Sequence, residues 1–168
     1  MDGATVVVTG ATRGVGRAVA GAFADEGADV VVCARDATAV EETAAALDET
    51  AEGSVVGQRA DVRDEYDVER LMETAASHGT PDIDVVVANA AVFHSSSESY
   101  SAFDDSYQTN VRGVFATFRE SLPHLAAGAR LIAPSGSVAR EAKAGLGAYA
   151  VSKAGAEAVV RQFHADTE

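Results

Sequence analysis

The chain has 168 residues, enough for one domain with a buried core, and its formal net charge is −13 because 26 acidic residues outnumber 13 basic ones. Such an acidic surface repels phosphate backbones and anionic lipids, which argues against nucleic acid or a membrane as a partner. The composition resembles that of proteins adapted to a salt-rich cytoplasm, and an ordinary acidic cytosolic protein is the alternative. The sequence shows neither a signal-peptide pattern nor a long apolar span, so we expect a cytoplasmic protein.

The first unit of the chain reads as a strand, a glycine-rich loop and a helix. Residues 5–8 form a short β-branched run, and apolar side chains recur at helical spacing over residues 15–23. Gly10 lets the chain reverse, Gly14 lets a ligand's phosphates approach bare backbone, and Gly16 lets the helix pack close to the strand. The unpaired N–H groups and the positive dipole end of the new helix favour a pyrophosphate. We therefore expect nucleotide binding here, with a purely structural Gly-rich turn as the alternative.

Strands and helices alternate along the rest of the chain. The predicted elements are a strand at 29–33, a helix at 37–52, a strand at 54–59, a helix at 64–77, a strand at 84–88, a loop at 93–101, a helix at 103–127, a strand at 129–133, a loop at 135–147 and a helix at 148–165. The inward faces of the third and fourth helices are predicted to carry Val68, Leu71, Met72 and Ala75, and Val111, Val114, Phe115, Phe118 and Leu122, respectively. This alternation predicts a single α/β domain over residues 1–168, with a doubly wound parallel sheet.

The loop spacing Thr9-Gly10-x-x-x-Gly14-x-Gly16 differs from the tighter G-x-G-x-x-G and lacks the Gly-Lys-Ser/Thr ending of a P-loop. It resembles the loop of the short-chain dehydrogenase/reductase family, and the resemblance extends over nearly the whole chain. It implies a Rossmann-type fold with five strands in the order 3-2-1-4-5 and a dinucleotide cofactor. Thr12, Arg13 and Val15 complete the predicted cofactor-binding loop.

The end of the second strand indicates which dinucleotide binds. A fold that prefers NAD(H) usually carries Asp or Glu there to accept from the ribose 2′-hydroxyl, whereas this sequence has Ala34 followed by Arg35. The guanidinium of Arg35 would suit a 2′-phosphate, and Arg13 could reach the same phosphate from the other side. We therefore expect NADP(H) in preference to NAD(H). Two solvated surface arginines are the alternative, and the carboxylate of Asp36 argues against the NADP(H) prediction.

The resemblance implies two further groups of cofactor contacts. In the family an Asp after the third strand contacts the adenine, and Asp61-Val62 stands in that place; an aspartate that only begins a turn or a helix fits nearly as well. Asn89-Ala90-Ala91 occupies the position of the family's Asn-Ala-Gly stretch, which stabilises the central sheet and lines the cofactor. Ala91 replaces the usual glycine, and it would cost about 1 kcal/mol if that position required a positive φ.

Tyr149-x-x-x-Lys153 is the predicted centre of the chemistry. A spacing of four places both side chains on one face of a helix. A nearby ammonium favours the phenolate form of a tyrosine, and a protonated tyrosine can donate to a carbonyl oxygen as hydride reaches the carbon. Chance often separates a Tyr and a Lys by four residues, but this chain has only two lysines, Lys143 and Lys153.

Two more catalytic residues follow from the resemblance. Ser137, twelve residues before Tyr149, is similar to the family serine that hydrogen-bonds the substrate oxygen, and Ser135 is its rival. Ser137 is preferred because the family serine is typically followed by an aliphatic residue and Ala. Asn110 matches the family asparagine at a helix kink that holds a water in the proton relay to Lys153. A polar residue merely tolerated within a helix is the alternative for Asn110.

The remaining reactive residue types give no other site. The four histidines lack metal-ligand spacing, so we expect no metal, and there is no nucleophile elbow of the G-x-S-x-G kind. Cys33 ends an apolar run and is expected to be a buried core thiol. Asp104 and Asp105 are interpreted as helix-start residues and not as a catalytic pair.

The end of the sequence departs from the family pattern. Relatives continue past the last helix with two more strands and a substrate-covering segment, whereas this sequence stops at Glu168. Without those strands the fifth strand would be an apolar edge, which invites pairing with another chain. In relatives the long fourth helix and the last helix also form a dimer interface, so we expect a homo-oligomer, or a fragment of a longer gene product.

Three functions are compatible with these features. The favoured one is an NADP(H)-dependent oxidoreductase acting on a small carbonyl or alcohol, with Asn110, Ser137, Tyr149 and Lys153 as its tetrad. The second is a shortened, catalytically weak relative that serves as a dinucleotide-binding module. The third is a structural partner that contributes helices to a mixed oligomer.

Overall fold

The structure is a computed structural model that describes residues 1–95 and 99–167, and it contains one five-stranded parallel sheet in the order β3-β2-β1-β4-β5. The strands are β1 Thr5–Thr9, β2 Asp29–Ala34, β3 Ser54–Arg59, β4 Ile83–Val87 and β5 Leu125–Ile132. The helices are α1 Gly14–Asp25, α2 Ala37–Asp48, α3 Glu65–His78, α4 Tyr100–Tyr107, α5 Gly113–Ser121 and α6 Gly147–Thr167. The predicted doubly wound sheet and its strand order are confirmed.

Valine side chains on the central strands pack on both faces of the sheet. Val7 belongs to a buried layer with Leu71 and Phe118 from α3 and α5, whereas its neighbours Val6 and Val8 pack on the opposite face against α1 and α2. Each buried valine contributes about 1.5–3 kcal/mol by leaving water. Burial on both faces explains why these strands are continuous apolar runs and do not alternate with polar residues.

The order of the strands reverses between β1 and β4. The strand that follows β1 in the chain lies on one side of it, and β4 pairs on the other side, so a crevice opens beyond the carboxyl ends of these two strands. Crevices at such reversal points are the ligand-binding positions of open α/β sheets. The glycine-rich loop after β1 and the Asn89 segment after β4 both border this crevice.

The predicted single helix over residues 103–127 is wrong at both ends and in its interior. It begins at Tyr100, passes through a π-helical turn at Gln108–Arg112, and ends as an α-helix at Ser121. A 3₁₀ turn at Leu122–His124 follows, with Pro123 inside it, and proline cannot donate to a continuing helix. Leu125 already pairs with Ile83 of β4, so strand pairing overrides the helical preference of the alanines that follow.

Two residues predicted to point inward from this region are exposed. Phe115 and Leu122 retain 46% and 42% of their accessible surface. Phe115 does contact the ring of Phe163 on α6, with the ring centroids 5.6 Å apart. Asp104 and Asp105 lie inside α4, whose start is capped by the Ser99 side chain, so their interpretation as helix-start residues is also wrong.

Other boundaries differ by a few residues. The second helix ends at Asp48 and not near residue 52, and β5 begins four residues earlier than predicted, at 125 instead of 129. All four predicted core residues of α3 are fully buried: Val68, Leu71, Met72 and Ala75. The predicted loop at 93–101 includes residues 96–98, which lie outside the described part of the chain.

Candidate cofactor cavity and active site

A cavity of about 1150 Å³ lies beyond the carboxyl ends of β1, β2, β3 and β4. Its volume is slightly above the usual range for small-molecule pockets, about 300–1,000 Å³. All predicted cofactor-binding residues other than Tyr149 and Lys153 line it, namely Gly10, Thr12, Arg13, Gly14, Val15, Gly16, Arg35, Asp61, Val62, Asn89 and Ala90. The structure therefore brings together around one cavity residues that are as many as 80 positions apart in the chain.

The three loop glycines occupy three different environments. Gly10 has φ +65°, and a Cβ there would lie 2.7 Å from the Cα of Ala90. A Cβ on Gly16 would overlap the Asn89 side chain and the Gly10 carbonyl oxygen. Gly14 has φ +56°, and no heavy atom lies within 4 Å of its missing Cβ, so its backbone is open toward the cavity. Close packing therefore requires glycine at positions 10 and 16, and backbone conformation favours it at 10 and 14.

Hydrogen bonds hold the glycine loop against the end of β4. The Asn89 side-chain amide donates to the carbonyl oxygens of Thr9 and Gly10, both at 3.0 Å, and the Ala90 N–H donates to Thr9 Oγ1 at 3.0 Å. No non-glycine residue in the described ranges has a positive φ. Ala91 therefore carries no backbone strain, and its replacement of the family glycine does not disturb this segment.

Two arginines and one aspartate stand at the rim of the cavity where the second strand ends. Arg13 and Arg35 are both exposed, and within residues 1–95 and 99–167 neither forms an ion pair with a carboxylate. Asp36 instead caps α2, where its carboxylate accepts from the Ala39 N–H at 3.1 Å. The rim thus offers two guanidinium groups that form no close ion pair among the described residues, although Arg35 still acts by charge on Asp61.

Asp61 is paired with an arginine that the sequence did not single out. Arg63 Nη2 lies 2.7 Å from Asp61 Oδ2, and its Nε lies 3.0 Å from Oδ1. These hydrogen bonds hold the pKa of Asp61 below its usual value, and the Arg63 backbone N–H also donates to Oδ1 at 3.1 Å. Asp61 therefore lies in a turn and also lines the cavity, so its contact with the adenine stays a prediction. Arg63 lines the cavity too. Its position two residues after Asp61 was the only feature of the sequence that could have predicted this pairing.

Asn110 connects the cavity wall to the helix that carries Tyr149 and Lys153. It is buried within the π-helical turn, and its side-chain amide both accepts from the Val92 N–H at 2.8 Å and donates to the Val92 carbonyl at 2.9 Å. The same amide donates to the hydroxyl of Ser152 at 2.9 Å. Val92 lines the cavity, and Ser152 lies between Tyr149 and Lys153 on α6. The irregular turn is the feature that the family resemblance implies at this position.

Tyr149 and Lys153 lie on one face of α6, as their spacing predicted. Lys153 Nζ is 5.8 Å from the centroid of the Tyr149 ring and donates to the Pro134 carbonyl at 3.0 Å. Lys153 is only 8% exposed, and burial lowers the pKa of its ammonium group. The ring of Phe93 packs edge-on against Tyr149, with centroids 5.0 Å apart. Phe93 is thus a site neighbour that lies in the loop after β4.

The two candidate serines have different partners. Ser135 donates to a carboxylate oxygen of Glu157 at 2.8 Å. Ser137 begins a 3₁₀ turn at Ser137–Ala139 that packs against α6, and its exposed hydroxyl lies 3.5 Å from Lys143 Nζ. Ser135 therefore uses its hydroxyl hydrogen in a bond to the Glu157 carboxylate. For the Ser137 hydroxyl hydrogen, the described residues provide no acceptor.

Two of the histidines form local hydrogen bonds, and the cysteine lies in the core. His78 Nε2 is 2.9 Å from Ser54 Oγ, and His94 Nε2 is 2.7 Å from Asp105. Over residues 1–95 and 99–167 no three His, Cys, Asp or Glu side chains converge in a group that could hold a metal ion. Cys33 is fully buried, as expected for a core thiol. In those same ranges no helix has the length and apolar character needed to cross a membrane.

The sheet order and the crevice at its reversal point are those of a Rossmann-type fold, and comparison with known proteins identifies the family. The chain belongs to the short-chain dehydrogenase family, whose model, described as short chain dehydrogenase, matches residues 4–168. It is 33% identical over 172 residues to the short chain dehydrogenase/reductase AacuN of Aspergillus aculeatus, a match covering 99% of this chain and 64% of that protein. It is also 36% identical over 144 residues to versicolorin reductase of Emericella nidulans, covering 83% of this chain and 53% of the relative.

Solved structures show the same similarity. An alcohol dehydrogenase from the archaeon Thermococcus sibiricus, complexed with 5-hydroxy-NADP, superposes with a TM-score of 0.90 at 29% identity, covering 97% of this chain and 71% of that one. A short chain dehydrogenase from Burkholderia cenocepacia, in complex with NADP, gives a TM-score of 0.90 at 26% identity, covering 98% and 69%. The chain thus spans somewhat under two thirds of the length of the curated relatives quoted above.

Proposed function

We propose that this member of the short-chain dehydrogenase family is an NADP(H)-dependent oxidoreductase that transfers hydride between the nicotinamide and a small carbonyl or alcohol substrate. The observation that carries the proposal is the position of Asn110. Its side chain bonds the cavity-lining Val92 on one side and Ser152 on the other, so it ties the helix that carries Tyr149 and Lys153 to the cavity wall, which supports the proposal that both belong to one site.

The residues present fit a dinucleotide with a 2′-phosphate. The open backbone of Gly14 and the N-terminus of α1 would receive the pyrophosphate, since the first N–H groups of a helix and its dipole favour anions. Arg13 and Arg35 would hold the 2′-phosphate, because their guanidinium groups are exposed at the rim and have no carboxylate partner among the described residues. NADP(H) is therefore preferred over NAD(H). When bound, the nicotinamide supplies the hydride for reduction or accepts it in oxidation.

The chemistry of the chain itself is proton transfer and charge stabilisation. In the reduction direction the Tyr149 hydroxyl donates its proton to the carbonyl oxygen, and in the oxidation direction the Tyr149 phenolate takes the proton from the alcohol. The Lys153 ammonium, 5.8 Å from the ring, stabilises that phenolate by charge. The Ser137 hydroxyl donates a second hydrogen bond to the same substrate oxygen. Asn110 positions α6 relative to the cavity.

We also propose that the chain forms a homo-oligomer through the region of α4, α5 and α6. Large apolar side chains are exposed there: Tyr100 at 90%, Phe103 at 43%, Tyr107 at 49% and Val151 at 54%. Exposed large apolar side chains on neighbouring helices support an association surface there. Light scattering after size-exclusion chromatography should give a mass of at least two chains, and Phe103→Asp should shift it toward one chain.

Carbonyl-dependent oxidation of NADPH tests the enzyme proposal. The wild-type chain is mixed with NADPH and a panel of small aldehydes and ketones, and the loss of nicotinamide absorbance is followed. Tyr149→Phe should lower kcat by at least ~100-fold, the usual contribution of a general acid, while NADPH binding stays unchanged. Full activity in Tyr149→Phe would contradict the proposed role of this residue. Tight NADPH binding without turnover of any carbonyl would instead support the binding-module function.

A further inference from the structure

The second lysine of the chain lies beside the site, and the mechanism described so far does not use it. Lys143 and Lys153 are the only lysines in the sequence, and they flank Tyr149 from the preceding loop and from α6. Lys143 Nζ is 3.5 Å from Ser137 Oγ. The Lys143 ammonium group therefore places a positive charge next to Ser137 in a chain whose net charge is −13.

The Lys143–Ser137 contact has a defined direction. An ammonium group has three N–H donors and no acceptor, so the Ser137 oxygen must be the acceptor. The hydroxyl hydrogen of Ser137 is consequently not used in this contact and remains available to donate elsewhere. A cation held against the oxygen also polarises the O–H bond, which makes the hydroxyl a better donor to an oxygen that gains negative charge.

Neighbouring basic residues do not share this contact. The Arg140 guanidinium is held by Glu157, with Nη2 3.2 Å from one carboxylate oxygen and Nε 3.3 Å from the other. Arg161 approaches the same carboxylate at 3.7 Å, and Ser135 donates to it. The Glu157 carboxylate thus contacts Arg140, Arg161 and Ser135 at the same time. In the part of the chain that the structure describes, Lys143 is the basic side chain that reaches Ser137.

We propose that Lys143 is a positioning residue that acts through Ser137: its ammonium group fixes and polarises the Ser137 hydroxyl so that this hydroxyl donates to the carbonyl oxygen of the substrate. The inference rests on the proposed function. It assigns to an exposed loop lysine a role in stabilising the charge that develops on that oxygen. The ammonium itself does not need to touch the substrate.

A double-mutant cycle between Lys143 and Ser137 tests the inference. The variants are Lys143→Met, Lys143→Arg, Ser137→Ala and the double variant Lys143→Met/Ser137→Ala, and Arg130→Met is a control that removes one exposed charge elsewhere. Two readouts are taken. One is kcat and KM for carbonyl-dependent NADPH oxidation, and the other is calorimetric binding of isobutyramide, an amide whose carbonyl is not reduced, to the chain·NADPH complex.

Lys143→Met should lower kcat and the affinity for isobutyramide by about tenfold each, while NADPH affinity and Arg130→Met stay at wild-type values. Lys143→Arg should recover most of the loss because it restores the cation. In the Ser137→Ala background the lysine substitution should have no further effect. That loss of effect separates action through Ser137 from direct binding of the ligand by Lys143.

Three results would overturn the inference: a Lys143→Met variant equal to wild type, an equal loss with and without Ser137, or no isobutyramide binding by the wild-type complex. The failure of the proposed function looks different. A wild-type chain that reduces no carbonyl contradicts the oxidoreductase proposal, while the cycle measured on isobutyramide binding still decides the role of Lys143.

Discussion

The side-chain amide of Asn110 donates to the Ser152 hydroxyl over 2.9 Å, and this hydrogen bond joins the π-helical turn beside the cofactor cavity to α6. Ser152 in turn donates to the Tyr149 carbonyl at 2.8 Å, within the same helix. A single buried amide therefore fixes the position of Tyr149 relative to the cavity wall. The predicted tetrad depends on this contact because two of its other members, Tyr149 and Lys153, lie on α6.

Replacement of Asn110 by Leu should destabilise the chain by about 1–3 kcal/mol, because it leaves the half-buried N–H and C=O of Val92 without their partners. Urea unfolding followed by circular dichroism measures the difference. Ser106→Ala is the matched control: Ser106 Oγ is also buried, but it has no hydrogen-bond partner among the described residues, so its removal should be close to neutral. Equal effects of the two substitutions would contradict the structural role of Asn110.

The glycine loop makes a prediction that requires no ligand. Gly16→Ala should cost about 1–3 kcal/mol, because the new Cβ would collide with the Asn89 side chain and the Gly10 carbonyl. Gly136→Ala is its control, since nothing lies within 4 Å of a Cβ at Gly136 and its φ of −158° is open to any residue. Thermal unfolding should separate the two variants clearly, and a fully stable Gly16→Ala would show that the helix does not pack this closely.

The sheet and the glycine-rich loop after β1 could be predicted from sequence because each depends on short-range patterns. The valine runs of β1, β2 and β4 are so apolar that they fit only the centre of a parallel sheet. Gly10, Gly14 and Gly16 lie within seven consecutive residues, so their pattern is visible in the sequence. The sheet order followed from the family resemblance. The helix at 103–127 was predicted too long because a local alanine-rich pattern does not reveal that Leu125 pairs with β4.

The partners of the site residues could not be predicted, because they come from distant parts of the chain. Val92 and Ser152 both hydrogen-bond to Asn110, and the sequence next to either residue gives no sign of this contact. The hydrogen bond from Ser135 to Glu157 likewise depends on how the 3₁₀ turn packs on α6. Arg63 alone had a local signal, its position two residues after Asp61.

Cys33 should be unreactive in the folded chain. Burial raises the pKa of its thiol to about 12, so the thiolate that attacks disulfide reagents is nearly absent at pH 8. Labelling by an aromatic disulfide should be slow in buffer and fast in concentrated urea. Labelling of the folded chain at the rate of a free thiol would contradict the burial of this residue.

The same thiol should contribute to the pH dependence of stability. Its pKa is raised on folding, so its contribution is fully present below the unfolded value of about 9 and is lost as the pH rises toward about 12. Wild type should therefore lose stability over this range faster than Cys33→Ala. Parallel stability curves for the two proteins above pH 9 would show that the thiol ionises as easily in the folded chain as in the unfolded one.

The rim arginines should set the cofactor preference. Arg35→Ser should weaken NADPH binding by about 10- to 100-fold, the value of one charge-assisted hydrogen-bonded pair, and should leave NADH binding nearly unchanged. Arg130→Ser, which removes an exposed charge from β5, is the control. An equal loss of NADPH and NADH affinity in Arg35→Ser would mean that Arg35 supports the fold of the rim and does not contact the 2′-phosphate.

Calorimetric titration of the wild-type chain with NADPH, with NADH as the comparison, tests most directly whether the 1150 Å³ cavity is a dinucleotide site. The account predicts one NADPH per chain, bound at least about tenfold more tightly than NADH because Arg13 and Arg35 at the rim would bind the 2′-phosphate. A chain that is folded by circular dichroism but gives no heat with either nucleotide would contradict the assignment of the cavity, and tighter binding of NADH would contradict the role of Arg13 and Arg35.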